Sequence, residues 1–446
     1  MPSCRFKYRN HLRSFSPISM PVPIRKRIVE RAEKKKTGIR SRSASLTAHD
    51  FHTLAHIDFT IDDIMLSCVL RGGGAGFEAL PWLISLSETR RWLLLPMTVH
   101  NAVWSGGKNA SIDTFEGGDD DVRAAFGYDR HQLHRVSQAL QMPELIKLQG
   151  IKTGWVTSEF AFLVWLYRMK SRDTLILMQS KFAMEWSRLL KIAQAFQSWC
   201  FLTHSFRVTN ALHFWAPQMR QLNGAFAALR SPPTGTYARA WSCIDATLAP
   251  LSMPSPLMFI RAREDGNIEA QIIDAEERFY CVYKHVHALK FQALSLPNGM
   301  FADVSGVVLG RRHDAALFDF SNLDDRLHQM HIMAGEPVPF VTLADSAYAT
   351  TEYVKRCRGG NSEEACLMAA LRASVEHVFC KVFTMFPSLK LKYQNKVFAR
   401  SRIIEKMIVC CLFANINSCL EGHQVQLYFD CTAPSLEQYM SFMPID

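Results

Sequence analysis

The stretch YCVYKHVHALKFQALSLPNGMFADVSGVVLGRRHDAALF, residues 280–318, decides the reading of the fold. Alternating apolar runs at 279–294 and 300–308 read as strands. They flank Pro297-Asn298-Gly299, a turn in which glycine supplies the positive φ that side chains resist. Residues 314–330 take helical spacing, and the apolar run 339–343 reads as a buried strand ending at Asp345. Upstream, residues 241–245 form a short apolar run ending in Asp245, and residues 257–262 a further strand. Strands, a helix, a strand and then helices predict a mixed α/β domain.

With 446 residues, 48% hydrophobic and 21% charged, the chain is long enough for two or three domains, and its composition excludes fibrous and disordered classes. No uninterrupted apolar run reaches the ~18 residues of a membrane span. The nearest, 407–416, reads as a buried helix, and the N-terminus lacks the apolar segment of a secretory signal. The 12 cysteines show no CxxC pair and no Cys/His array, so they read as reduced, packed thiols of an intracellular protein. The net charge of +10 is uneven: residues 5–42 carry thirteen Lys/Arg against Glu30 and Glu33, or +11, leaving 10 − 11 = −1 elsewhere. A disordered basic tail, 1–50, is expected to serve as a nuclear import signal or a phosphate-binding arm, with a merely solvated tail as the alternative.

Residues 51–125 are weakly patterned. Gly72-Gly73-Gly74 and the stretch from Gly117 to Asp121 read as loops, the Asp triplet as a solvated turn and not a metal site. From 126 to 230 the periodicity is helical, with Leu133, Val136 and Leu140 on one stripe. Phe160, Leu163, Val164 and Tyr167 form another behind the N-cap candidates Thr157 and Ser158. Asp173 is placed to cap a short helix, and 182–199 supplies a long one. Such a trio is compatible with a helix-turn-helix whose Lys181, Glu185, Arg188 and Lys191 face outward, the three cations as DNA contacts; an ordinary helical bundle gives the same pattern. After the break at 231–235 comes the α/β domain, 236–422. Asn361 and Glu364 resemble a capping box at the start of a late helix, with Met368, Leu371, Val375, Val378, Phe379 and Val382 as its apolar stripe. Glu376 lies at the margin of that stripe, four residues after Arg372; it either reaches the sheet or forms an i,i+4 ion pair. A final helix spans 403–420, and the tail 423–446 adds a short strand.

Asp245 and Asp345 at strand ends, with Glu376 on a packed helix, give three carboxylates on rigid elements. Hard Mg²⁺ or Mn²⁺ takes oxygen ligands, and two such ions activate a nucleophile and stabilise a leaving oxyanion in phosphodiester chemistry. This points to a metal-dependent nuclease. No GxSxG elbow, HExxH pair or Walker loop supports another hydrolase class.

The blocks IDATLAP, YKHVHALKFQALSLPNGMFADVSGVVLGRRHDAALF, LADSAYAT and RASVEHVF occur in an order that resembles the DDE endonuclease domain of PIF/Harbinger-type transposases, over roughly residues 241–420. Residues 126–205 resemble the helix-turn-helix region that precedes it in that family. The resemblance implies an RNase H-like mixed sheet flanked by helices, after an all-helical region. It also implies a catalytic and metal-binding triad of Asp245, Asp345 and Glu376 holding Mg²⁺ or Mn²⁺, the two aspartates sharing one ion. The substrate would be double-stranded DNA, cut at an element end and joined to a target in the nucleus, often with a separate DNA-binding partner protein; the oligomeric state stays open. Lys284, His287, Gln292, His313, Asp314 and Arg372 are expected beside the site, supporting the ligands or contacting DNA, and Asp314 can also cap its helix.

Several positions depart from the family pattern. Ala246 stands where the family has Gly between Asp and Thr, Val282-Tyr283-Lys284-His285 replaces Gly-His-Lys-Arg, Val307 replaces Pro, and the spacing from Asp345 to Glu376 is short. Valine for glycine at a close backbone approach adds a Cβ that the loop must accommodate. An impaired or host-retained derivative that binds DNA or a protein is therefore the alternative reading.

Overall fold

The first helix among the described residues, α1 (Asp119–Phe126), opens on the Asp triplet that the sequence reads as a loop. The three carboxylates fall in its first turn, where unpaired N–H groups and the helix dipole favour negative charge, and Asp121 Oδ2 accepts from Gly118 N at 3.0 Å. The computed structural model describes residues 111–113, 118–148, 154–173, 175–182, 184–229, 236–253, 277–357, 363–395 and 402–443. The tail 1–50, the Gly72-Gly73-Gly74 loop, the break 231–235, the strand expected at 257–262 and Asn361 lie outside them.

Helix α2 (Arg130–Ala139) buries Leu133 and Val136 behind its Asp129 cap. A hairpin of β1 (Leu145–Lys147) and β2 (Trp155–Thr157) then interrupts the region expected to be all helical. Three-residue strands are too short to register a period of two. Helix α3 (Ser158–Lys170) starts at Thr157, whose hydroxyl accepts from Phe160 N. It carries more than a stripe: every side chain from Phe160 to Leu166 is buried. Helices α4 (Leu175–Phe182) and α5 (Trp186–His204) follow, then the short α6 (Phe206–Thr209) and α7 (Leu212–Trp215), and α8 (Met219–Ala227).

The sheet comprises β3 (Ala240–Pro250), β4 (Tyr280–Cys281), β5 (Val286–Ser295), β6 (Phe301–Leu309), β7 (Val341–Ala344) and β8 (Val354–Arg356), with α9 (Asp314–Ser321) and α10 (Leu323–Ala334) between β6 and β7. Its order is β6-β5-β3-β7-β8, with β4 also on β5; β3, β5 and β6 pair antiparallel, whereas β7 and β8 run parallel to β3. Two expected continuous elements are broken. The turn 282–285, with His285 at φ 52°, separates β4 from β5, and Asn322, at φ 49°, splits the predicted helix into α9 and α10. Val282 is 65% exposed in that turn, so its Cβ meets solvent and not the close backbone approach expected of that position.

Helix α11 (Glu363–Met385) packs on the β3 face that carries Cys243, whose Sγ donates to Leu371 O. Helix α12 (Ile403–Glu421) is long and apolar enough to cross a membrane by composition, with mean hydropathy 1.6, but 78% of its apolar stretch is buried in the structure. Trp165 and Phe162 of α3 stack on its Phe413, ring centroids 4.9 and 5.8 Å apart, so helical segment and sheet share a core. Asn415 of α12 substitutes for a missing strand: it accepts from Phe301 N at 2.8 Å and donates to Phe301 O at 2.9 Å. The predicted C-terminal strand is replaced by helices α13 (Gln424–Phe429) and α14 (Leu436–Met440), the latter opened by a Ser435–Gln438 capping box. The ten described cysteines are free thiols, seven of them buried.

Candidate active site

Asp245 lies in the middle of β3, not at a strand end as the sequence suggested. Its neighbour β7 stops at Ala344, and the register that pairs Cys243 with Leu343 sets Asp345 beside Asp245 two residues further on. The last residues of β3 thus keep β5 on one edge while β7 no longer covers the other, leaving Asp245 at an indentation in the sheet. Its carboxylate is 16% exposed. Oδ1 accepts from Ala246 N at 2.7 Å, so alanine at this position delivers its N–H in extended backbone.

Arg372 on α11 connects the site. Its Nη1 donates to Asp245 Oδ2 and its Nη2 to Glu376 Oε1, both at 3.2 Å. Of the two alternatives for Glu376, the ion pair four residues along the helix forms, and it is Arg372 instead of the carboxylate that reaches the sheet. Glu376 remains 58% exposed. Burial pushes the Asp245 carboxyl up to about 6, opposed by the Ala246 N–H and Arg372 and reinforced by the charges of Asp345 and Glu376. Asp345 Oδ1 accepts from Ala347 N at 2.7 Å, turning the chain away from β7. The charges of Asp345 and Glu376 both act on Asp245, yet among the described residues no three His, Cys, Asp or Glu side chains converge as a metal-holding group.

The other expected residues divide by sheet face. Gln292 pairs in register with Ala246, not with Asp245, so its side chain leaves the opposite face of the sheet. There it is fully buried and donates to Ser321 Oγ of α9 at 3.0 Å. Asp314 follows the same side: it is the first residue of α9, not its cap, and binds Lys290 Nζ at 2.7 Å. His313 holds the N-cap position without a side-chain hydrogen bond. Lys284 is exposed in the β4–β5 turn, its Nζ 4.8 Å from the Tyr283 ring centroid, and His287 packs against the Tyr280 ring at 5.2 Å. On the helical segment, Lys181 and Glu185 are exposed, whereas Arg188 and Lys191 are half-buried and not fully outward.

Tyr348, inside the Asp-Ser-Ala-Tyr block, went unremarked in the sequence because phenols are ordinary core residues. It is 1% exposed, stands edge-on to Phe318 of α9, and its hydroxyl is buried without a partner among the described residues. Burial and the charges of Asp314, Asp245 and Asp345 hold its proton on.

No curated protein and no solved structure matches the chain. The family described as DDE superfamily endonuclease matches residues 245–415. Members of that superfamily act on DNA and normally use divalent metals. The match supports placing this segment, which begins on Asp245 and includes Asp345 and Glu376, in the DDE endonuclease superfamily.

Proposed function

We propose that the protein is a metal-dependent DNA endonuclease of the PIF/Harbinger transposase type, with Asp245, Asp345 and Glu376 as its triad. The observation that carries this reading is the placement of Asp245 on β3 beside Asp345, the residue that follows the end of its parallel neighbour β7, with Glu376 on the helix covering the same face. The strand order β6-β5-β3-β7-β8, three antiparallel strands followed by two parallel ones, supports an RNase H-like reading of the sheet.

The donor set fits a hard divalent cation: it offers only carboxylate oxygens, and one guanidinium leaves three acids undercompensated in a half-buried site. Asp245, Asp345 and Glu376 would hold the metal, which supplies charge for activating water and stabilising the leaving 3′ oxygen. The protein's own part is orientation. Ala246 N–H fixes one oxygen of Asp245, Ala347 N–H fixes one of Asp345, and Arg372 offers N–H groups of the geometry that phosphate accepts.

A second reading, a derivative that binds DNA or a partner without cutting, is favoured by the state of the triad: two of its carboxylates bond an arginine, and among the described residues no three-ligand group forms. A Mn²⁺-dependent nicking assay separates the two. Wild-type protein is expected to cut and Asp345→Asn to fail; equal activity in both refutes the mechanism, and none in either supports the second reading.

A further inference from the structure

Resting on the nuclease reading, we infer that Arg372 is a positioning residue that competes with the divalent cation for Asp245 and Glu376, so that metal entry requires the guanidinium to leave them. One side chain bonds one oxygen of each carboxylate, from different elements, β3 and α11. Both bonds are 3.2 Å long, longer than the ~2.7–2.9 Å of a tight charge-assisted pair, and they use a single oxygen of each acid in place of a bidentate grip. Such a contact holds the acids near one another and releases them readily.

Charge and geometry give the competition its direction. A guanidinium adds one positive charge to three carboxylates, whereas a divalent ion would add two and would draw on the same Asp245 and Glu376 carboxylates. With Arg372 in place those oxygens already accept hydrogen bonds, and among the described residues no three-ligand group converges. Once displaced, Arg372 has donors and no acceptor, so a DNA phosphate is the partner that suits it. A purely structural ion pair would tie α11 to β3 equally with and without metal.

The test is a MnCl₂ titration of the full-length protein, read by calorimetry and by thermal unfolding, for wild type, Arg372→Gln, Arg372→Lys and Asp245→Asn. Arg372→Gln is expected to lower the melting temperature without metal, to bind Mn²⁺ about tenfold more tightly, and to show a larger Mn²⁺-induced rise in melting temperature. Arg372→Lys, a single ammonium that cannot span both acids, should fall between. If wild type binds Mn²⁺ in a manner that depends on Asp245 but Arg372→Gln and Arg372→Lys bind no more tightly, the competition is refuted and the metal site stands. If Asp245→Asn binds as well as wild type, or nothing binds, the nuclease reading fails and this inference fails with it.

Discussion

Asp303 of β6 and Arg326 of α10 form a buried ion pair. Arg326 Nη1 donates to Oδ2 at 3.0 Å, Nη2 donates to Oδ1, and Nη2 also reaches Thr209 O at 3.2 Å. The Asp303 side chain is 1% exposed and that of Arg326 22%, so removing the acid strands a largely buried guanidinium between β6, α10 and the end of α6. Asp303→Ala is expected to cost about 3–5 kcal/mol in urea unfolding. The double replacement Asp303→Leu with Arg326→Met should recover most of that, because it removes both charges together; a single-variant loss under ~1 kcal/mol would contradict the assignment.

Asp245→Asn separates stability from chemistry. The carboxyl is raised to about 6 in the fold from an ordinary value near 3.8, so folding favours its neutral form. The stabilisation this gives is full below about pH 4 and is lost as pH rises through 6. A neutral amide does not suffer that loss, so the variant should match wild type at pH 4 and equal or exceed it in unfolding free energy at pH 7. Nicking should fall by about three orders of magnitude, the equivalent of several kcal/mol of transition-state charge stabilisation. A variant that is both less stable at pH 7 and still active would overturn the assignment.

The strand meander 280–318 was legible because its alternation, its Pro-Asn-Gly turn and the acid after each flanking run are local signals. Gly299 takes φ 72°, as that turn requires. The capping of α3 by Thr157 was legible for the same reason. Features set by tertiary contact were not. β8 is three residues long and is a strand by its pairing with β7; Asp245 looked like a strand end because the short apolar run 241–244 stops there, whereas β3 continues to Pro250 through its pairing with β5. The C-terminal tail reads as adding a short strand, but residues 424–429 form a helix anchored by Val425 and Phe429, with Leu427 87% exposed. At the site, spacing placed Arg372 near Glu376, whereas its reach to Asp245, 127 residues away in sequence, needed the fold.

Asn415 is the polar residue inside the most apolar helix. Its amide satisfies both backbone groups of Phe301 at the start of β6, and its Nδ2 also donates to Tyr439 Oη at 3.0 Å. Asn415→Leu keeps the volume and leaves a buried N–H, a buried C=O and a phenol without that partner. At ~1–3 kcal/mol for each orphaned group, a loss of about 2–5 kcal/mol is expected in denaturant unfolding. Hydrogen exchange at Phe301 should accelerate in the variant; unchanged protection there would mean that β6 is held by β5 alone.

Lys406 sets a pH dependence of the opposite sense to Asp245. It is 3% exposed on α12, and its ammonium donates to Asn395 Oδ1 at 2.9 Å and Ser388 O at 3.2 Å. Burial, with the Arg168 charge adding to it, lowers its pKa to about 7 from 10.5. Below pH 7 folded and unfolded chains both carry the proton and the fold bears the full cost of a buried charge. Between about pH 7 and 10 the unfolded chain binds more protons than the folded one, so this lysine makes stability rise with pH. Wild type should therefore gain on Lys406→Met across that interval by up to several kcal/mol, a comparison in which groups common to both chains cancel. Parallel curves of unfolding free energy against pH would show that the ammonium stays charged in the core.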